Sequence, residues 1–361
     1  MKPVAVIILN WNGEKLLREF LPSVIANTDA AIADVIVADN GSTDSSTALL
    51  AREFPQVKVL AFKENLGFAG GYNRALRDTG YRYTVLLNSD VETPAGWLRP
   101  LHDFMEAHPE AGGCQPKILA YTDKSRFEYA GAAGGYIDRN GYPYCRGRIF
   151  ATVEEDCGQY DTPAEVFWAT GAALMVRTDL YNRLGGLDER FFAHMEEIDL
   201  CWRMQLAGWQ LWCVPASHVY HLGGGSLPAD NPRKTYLNFR NNLLLLHKNL
   251  PEADLRAALL RRRLLDTVAW ARFIVTGDFA NARAILKAHR DFRRMRRNYT
   301  SHPSKNLLRA GRPDILTAYY LRGKHKYSDS CLRTYRPRFV VFDPVMVSTS
   351  GHRLIEEDAI S

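Results

Sequence analysis

Four polar clusters near the start of the chain hold the residue types that could do chemistry. They are Asn10-Trp11-Asn12-Gly13, Asp39-Asn40-Gly41-Ser42-Thr43-Asp44, the stretch from Asn65 through Gly67, Gly70 and Gly71 to Asn73, and Asn88-Ser89-Asp90. Asp90 ends a run of buried-type residues, where a carboxylate can hold a hard cation and bridge it to a substrate diphosphate. Asp39, at a similar position, could accept hydrogen bonds from a base N–H or a ribose hydroxyl. The glycines let backbone approach a ligand closely and leave amides free near a helix start, where phosphate is favoured. Each cluster taken singly is ordinary turn chemistry, since Asn, Ser, Asp and Gly all favour turns.

The elements between the clusters give them a common location. Val4–Leu9, Val35–Ala38, Val57–Phe62 and Thr84–Leu87 are short runs rich in Val, Leu and Ile, the signature of strands buried on both faces. Between them, Leu16, Leu17, Phe20, Leu21, Val24 and Ile25 recur at helical spacing, as do the residues around Leu49 and Leu50 and around Ala75 and Leu76. Pro94 opens a further helix through Trp97, Leu98, Leu101, Phe104 and Met105. Alternating strands and helices predict an α/β fold with a doubly wound, mostly parallel sheet. All four clusters then fall on the carboxyl rim, where open α/β sheets bind ligands. The glycine spacing departs from the dinucleotide fingerprint, and no P-loop is present.

A second group of candidates lies further on. Trp168 sits in an apolar run, Phe167 to Arg177, that reads as a buried strand. Asp188 precedes the sequence His194-Met195-Glu196-Glu197-Ile198-Asp199-Leu200-Cys201-Trp202-Arg203. Acidic residues crowd the first turn of this helix, which suits the macrodipole, and Asp199 and Arg203 can pair one turn apart. Read blandly, this is a helix start with favourable carboxylates. Another strand leads to His218 and His221, the latter followed by Gly223-Gly224-Gly225-Ser226, which would expose it and permit close contact with phosphate.

Together the four early clusters resemble the inverting family 2 glycosyltransferases, and most closely the rhamnosyltransferase-like bacterial members. The resemblance spans residues 4 to 245. It implies a GT-A fold, with Asn88-Ser89-Asp90 at the position of the D-x-D metal motif, although the first acid here is Asn. It implies Mg²⁺ or Mn²⁺ held by Asp90 and His221. The nucleotide-sugar would be bound by Asn10, Asn12, Asp39, Asn65, Gly67, Asn73 and Asn88. One carboxylate must take the acceptor's proton; the resemblance points to Glu197, with Glu196 as the alternative. Asp188 would shape the acceptor pocket, and Trp168 could stack on a sugar face. The implied donor is dTDP-rhamnose or a UDP-sugar, and the implied acceptor a glycan or a polyprenyl-diphosphate-linked saccharide.

The remaining features bound this reading. The 361 residues are 46% hydrophobic, enough for a sizeable core. The six cysteines form no C-x-x-C pair and read as reduced thiols of a cytosolic protein. The start of the chain shows no secretory leader, and no apolar run reaches the ~20 residues of a membrane span. The expectation is a cytoplasmic protein, soluble or peripheral on the inner membrane face. Residues 1–230 are expected to form the nucleotide-sugar-binding and catalytic domain, with 112–165 as acceptor-side hairpins and loops over the sheet edge. Residues 231–335 form a basic helical region and 336–361 a tail. Arginine clusters at 261–263 and 293–297 flank an amphipathic stretch from Leu264 to Val275, which suits an anionic membrane surface. Nucleic acid is discounted because no binding motif accompanies the charge. Two rivals remain: a sugar nucleotidyltransferase, which needs a basic Gly-rich loop after the first strand, and a non-catalytic sugar- or membrane-binding scaffold.

Overall fold

The structure is a computed structural model that describes residues 2–77, 79–223, 231–308 and 312–329. The tail at 336–361, the turn glycines Gly224 and Gly225 with Ser226, and Cys331 lie outside the described residues.

The chain opens with β1 (Val4–Asn10), α1 (Glu14–Asn27), β2 (Ala33–Asp39), α2 (Ser46–Glu53), β3 (Lys58–Ala61), α3 (Gly67–Leu76) and β4 (Tyr83–Leu87). It continues through β5 (Val91–Glu92), α4 (Leu98–Ala107), β6 (Ala111–Ala120), β7 (Gly135–Ile137), β8 (Pro143–Cys145), β9 (Arg148–Ile149), β10 (Thr152–Val153), β11 (Ala164–Val166) and β12 (Ala173–Arg177). Then come α5 (Thr178–Arg183), α6 (Glu196–Leu206), β13 (Gln210–His221), α7 (Pro232–Asn249), α8 (Glu252–Val275) and α9 (Phe279–Met295).

The main sheet has nine strands in the order β11-β13-β6-β12-β4-β1-β2-β3, with β5 pairing off that path onto β13. Strands β4, β1, β2 and β3 run parallel, and β12 is antiparallel to both β4 and β6. The doubly wound parallel half is thus present, and an antiparallel strand joins it to the second half. Strand β1 shows how one apolar run serves both faces: Ala5 and Ile7 enter one hydrophobic core, and Val4, Val6 and Ile8 enter the other. The opposite alternation of side chains on a strand requires this.

Two expectations change. Residues 111–120 are not edge loops: β6 is a buried strand paired with β12 and β13 inside the main sheet. Only the stretch after it forms the small four-stranded sheet β10-β9-β8-β7. Pro94 starts a turn, closed by Trp97 N–H to its carbonyl at 3.4 Å, and α4 begins at Leu98. The cysteines among the described residues form no disulfide.

Candidate functional site

The ends of β1 and β2 lie level, with Asn10 opposite Asp39 in the parallel register. Asn10 Nδ2 donates to Asp39 Oδ1 at 2.9 Å and to Ser42 Oγ at 3.2 Å, while Ser42 N–H donates to Asp39 Oδ2 at 3.1 Å. Asn12, in the left-handed region at φ 50°, accepts the Thr43 N–H at 2.7 Å. Asn40 then ties β2 to the start of α3, donating to Asn65 Oδ1 at 2.9 Å and to the Gly67 carbonyl at 3.0 Å. Asn65 and Gly67 are therefore parts of one laced rim with Asn10, Asn12 and Asp39. Gly71 is needed for packing: a Cβ there would come within 2.6 Å of Leu9. Trp11 stands 56% exposed on this rim, an aromatic face that spacing arguments passed over because one Trp in a loop has no periodicity.

On the same rim, β4 delivers Asn88, Ser89 and Asp90. The Asn88 N–H donates to the Ala172 carbonyl at 3.0 Å, and its side-chain amide lies 3.4 Å from His221 Nε2. Asp90 Oδ1 is 3.1 Å from the same nitrogen. The pairing of β5 with β13 sets this meeting, because Val91 is opposite His221 and the Leu222 N–H donates to the Asp90 carbonyl. On the other side of the ring, Glu128 Oε2 lies 3.5 Å from His221 Nδ1. Burial alone would push the imidazole down, but the hydrogen bond to Asp90 and the Glu128 carboxylate beside Nδ1 outweigh it and hold His221 up at about 10. Burial likewise opposes ionisation of Asp90, yet its hydrogen bond with His221 keeps the carboxyl below the usual range.

This arrangement suits a small divalent ion. Asp90 Oδ1 and His221 Nε2, 3.1 Å apart, are the groups that would hold such an ion, with the imidazole giving up its proton to it. Among the described residues, no group of three or more His, Cys, Asp and Glu side chains is arranged to hold a metal. Two side chains alone would leave a diphosphate and water to supply the remaining ligands, the usual mode for Mg²⁺. Glu128 comes from the region after β6 and carried no sequence signal; only the fold shows it behind His221.

The acidic pair begins α6. Phe192, His194 and Met195 before it all have positive φ, between 67° and 73°. Asn241 on α7 holds this unfavourable loop, its Nδ2 lying within 3.0 Å of the carbonyls of Phe191, Ala193 and His194. Arg240 adds a bond to the Phe191 carbonyl at 2.7 Å. A Cβ on Gly171 would lie 3.7 Å from Glu197 Cβ, and the next residue, Ala172, receives the Asn88 N–H. That short loop links Glu197 to the Asp90 rim. One carboxylate oxygen of each glutamate is buried without a partner. Burial pushes Glu197 up to about 7, and burial with the adjacent Glu197 charge pushes Glu196 well above the carboxylate range. Asp199, by contrast, is fully buried in a network with Arg203, Lys248 and Asn249, and stays ionised.

Other candidates go elsewhere. Trp168 is buried, with its ring flat against Gly135 and its Nε1 donating to the Tyr136 carbonyl at 2.9 Å, so it offers no face to a sugar. Its position in an apolar run already favoured packing. The Asn73 amide is engaged with both backbone groups of Leu187 and with the Tyr181 hydroxyl, which makes it a strap between α3 and the 187 loop. Asp188 caps the turn at Glu189–Phe191 and accepts from Lys248 and Tyr299. Asn73 and Asp188 both line a cavity of about 480 Å³ with Glu189, Arg190 and Lys248. A second cavity of about 620 Å³ lies between α7 and α9, lined by Phe192, Arg233, Tyr236, Arg283 and Lys287. Neither includes Asp39, Asp90, Glu197 or His221.

Comparison with known proteins places this architecture. Residues 5–158 match Glycosyl transferase family 2. Rhamnosyltransferase WbbL of Escherichia coli (strain K12) is 43% identical over 230 residues, which cover 60% of this chain and 83% of that one. The N-acetylglucosaminyl-diphospho-decaprenol L-rhamnosyltransferase of Mycobacterium tuberculosis (strain CDC 1551 / Oshkosh) is 28% identical over 232 residues, 60% of this chain and 75% of its own. The mannosyltransferase PcManGT from Pyrobaculum calidifontis, solved with GDP-Man and Mn²⁺, superposes with a TM-score of 0.50. That alignment covers 80% of this chain and 86% of that one at 15% identity, so it speaks for the fold alone. The fold is GT-A. The chain belongs to glycosyltransferase family 2, and the protein is a glycosyltransferase.

Proposed function

We propose that the protein is a metal-assisted inverting hexosyltransferase of cell-surface polysaccharide synthesis. Its donor is a nucleotide-diphosphate sugar, dTDP-rhamnose first and a UDP-sugar second. Its acceptor is a glycan or a saccharide on a polyprenyl diphosphate, as the name of the mycobacterial relative suggests. Such an acceptor is presented at the cytoplasmic face of a membrane, and the protein would work there peripherally. Residues 1–230 carry catalysis in this reading, with 231–335 as a basic helical annex.

One observation carries the reading: Glu197 has a buried, unpartnered oxygen and an acidity near neutral, one short loop from Asn88 and Asp90. Such a group suits a general base. The acceptor hydroxyl loses its proton to Glu197 as its oxygen bonds to the anomeric carbon. The bond from that carbon to the diphosphate oxygen breaks on the opposite face, and its electron pair leaves with the diphosphate. Glu196, held more firmly neutral, is the less suited base. Asp39, Asn10, Asn12, Asn65, Gly67 and Asn88 line the donor side, and Trp11 offers a face for the base. Asp90 and His221 would hold Mg²⁺ or Mn²⁺, which when bound neutralises charge on the departing diphosphate. Asp188 shapes the acceptor side through the cavity it lines.

Calorimetric titration of UDP and dTDP with and without Mn²⁺ tests this. Binding should tighten at least ~10-fold with metal. Metal-independent binding would favour the non-catalytic scaffold.

A further inference from the structure

Helix α8 is amphipathic in the wrong sense for a helix that faces water. At about 100° per residue, Ala253, Ala257, Leu260, Leu264, Val268, Ala271 and Val275 fall within an arc of about 80°. All seven are exposed, Leu260 at 60%, Leu264 at 64%, Val268 at 69% and Val275 at 87%. The stripe runs for about 33 Å. The opposite face, which packs on the protein, buries charge instead. Arg262 pairs there with Asp266 at 2.8 Å, His289 adds a contact at 3.0 Å, and the Arg262 guanidinium stacks 3.9 Å from the centre of the Tyr142 ring. A water-facing helix normally places these residue types the other way round.

The charge around the stripe indicates what covers it. Beyond its first turn, every charged residue on the exposed side of α8 is an arginine. Arg256 and Arg263 edge the stripe on one flank, and Arg261 and Arg272 on the other. A second copy of this chain would bring another rim of four arginines against this one, with only the first-turn Glu252 and Asp254 to answer them. An anionic lipid surface supplies both the apolar layer and the negative charge. Among the described residues, no helix is long and apolar enough to cross a membrane.

We propose that α8 lies in the plane of an anionic bilayer, with Leu260, Leu264, Val268 and Val275 in the acyl boundary and the flanking arginines on phosphate headgroups. Helices of this pattern bind in proportion to buried apolar area plus electrostatic attraction. Each arginine near such a surface contributes ~1 kcal/mol at modest ionic strength. The stripe gives the protein a fixed orientation on the surface, whichever donor or acceptor it uses.

The test is co-sedimentation of the full chain with phosphatidylcholine vesicles and with mixed phosphatidylcholine–phosphatidylglycerol vesicles, alongside light scattering for oligomeric state. The wild type should bind the mixed vesicles and barely bind phosphatidylcholine alone. Leu264→Glu with Val268→Glu, both at exposed positions, should lower partitioning at least ~10-fold while leaving nucleotide binding unchanged. Arg261→Glu with Arg272→Glu should remove the preference for the anionic vesicles. The proposal is overturned if wild type ignores the mixed vesicles or if both double variants bind like wild type. It is equally overturned if the apolar variant only turns a dimer into a monomer, which would make a second copy the occupant. Nucleotide binding by the same variants is read separately, so failure of the membrane proposal leaves the transferase reading standing.

Discussion

Asp90 and His221, brought together from the ends of β4 and β13, place a carboxylate oxygen and an imidazole nitrogen 3.1 Å apart on the carboxyl rim of the sheet. Behind them Glu128 faces the other ring nitrogen at 3.5 Å. With both ring nitrogens protonated at neutral pH, a metal would take Nε2 only as its proton leaves; a carboxylate behind Nδ1 would then orient the neutral ring, and loss of such a partner typically costs 10–100-fold in metal affinity. Glu128→Gln should therefore weaken Mn²⁺ binding by about 10-fold or more, read by paramagnetic resonance with UDP present. Glu128→Asp should recover part of it. Unchanged affinity in the Gln variant would reduce Glu128 to a packing residue.

Asn241 tests whether the loop before α6 must be held. Its amide answers carbonyls on both sides of the strained residues Phe192 and His194. Asn241→Ala should lower kcat by about 10-fold or more through misplacement of Glu197, with nucleotide affinity unchanged. Equal loss of both would mean that the variant disturbs the whole fold.

The Asp199 network is a stability element. Its carboxylate is fully buried against Arg203 and Lys248, each at 2.8 Å. Asp199→Ala leaves Arg203 without a carboxylate while Lys248 keeps Asp188, and should cost about 3 kcal/mol in urea unfolding. A cost below about 1 kcal/mol would show that water reaches them.

Glu197 makes an opposite prediction for stability. Its acidity is raised in the folded state, so the folded protein binds the extra proton between the ordinary carboxylate range and about pH 7. Stability is then full at low pH and lost as pH rises through 7. Glu197→Gln should be more stable than wild type at pH 8, by about 3 kcal/mol, and the gain should vanish near pH 4. Thermal melts at both values decide it; a gain that does not depend on pH would contradict the assigned acidity.

The parallel half of the fold was legible because each of β1, β2 and β4 is a short β-branched or leucine run that ends in polar residues. That same alternation placed Asp39, Asn10 and Asp90 on one rim. What the sequence hid was long-range: β6 reads as glycine-rich loop, yet the fold buries it between β12 and β13, where Gly112 and Gly113 admit close neighbours. Glu128 has no local pattern because its partner arrives from β13. Trp168 and Asn73 show the reverse: residue type suggested a ligand, whereas in the fold the ring packs and the amide holds backbone.

Removal of the acceptor's proton by Glu197 can be read from single-turnover transfer by Glu197→Gln, with a donor and acceptor that the wild type uses. Donor affinity should stay within about twofold of wild type and the transfer rate should fall by ~10²–10⁴-fold, with Glu197→Asp in between. Transfer at near the wild-type rate in the Gln variant would contradict it.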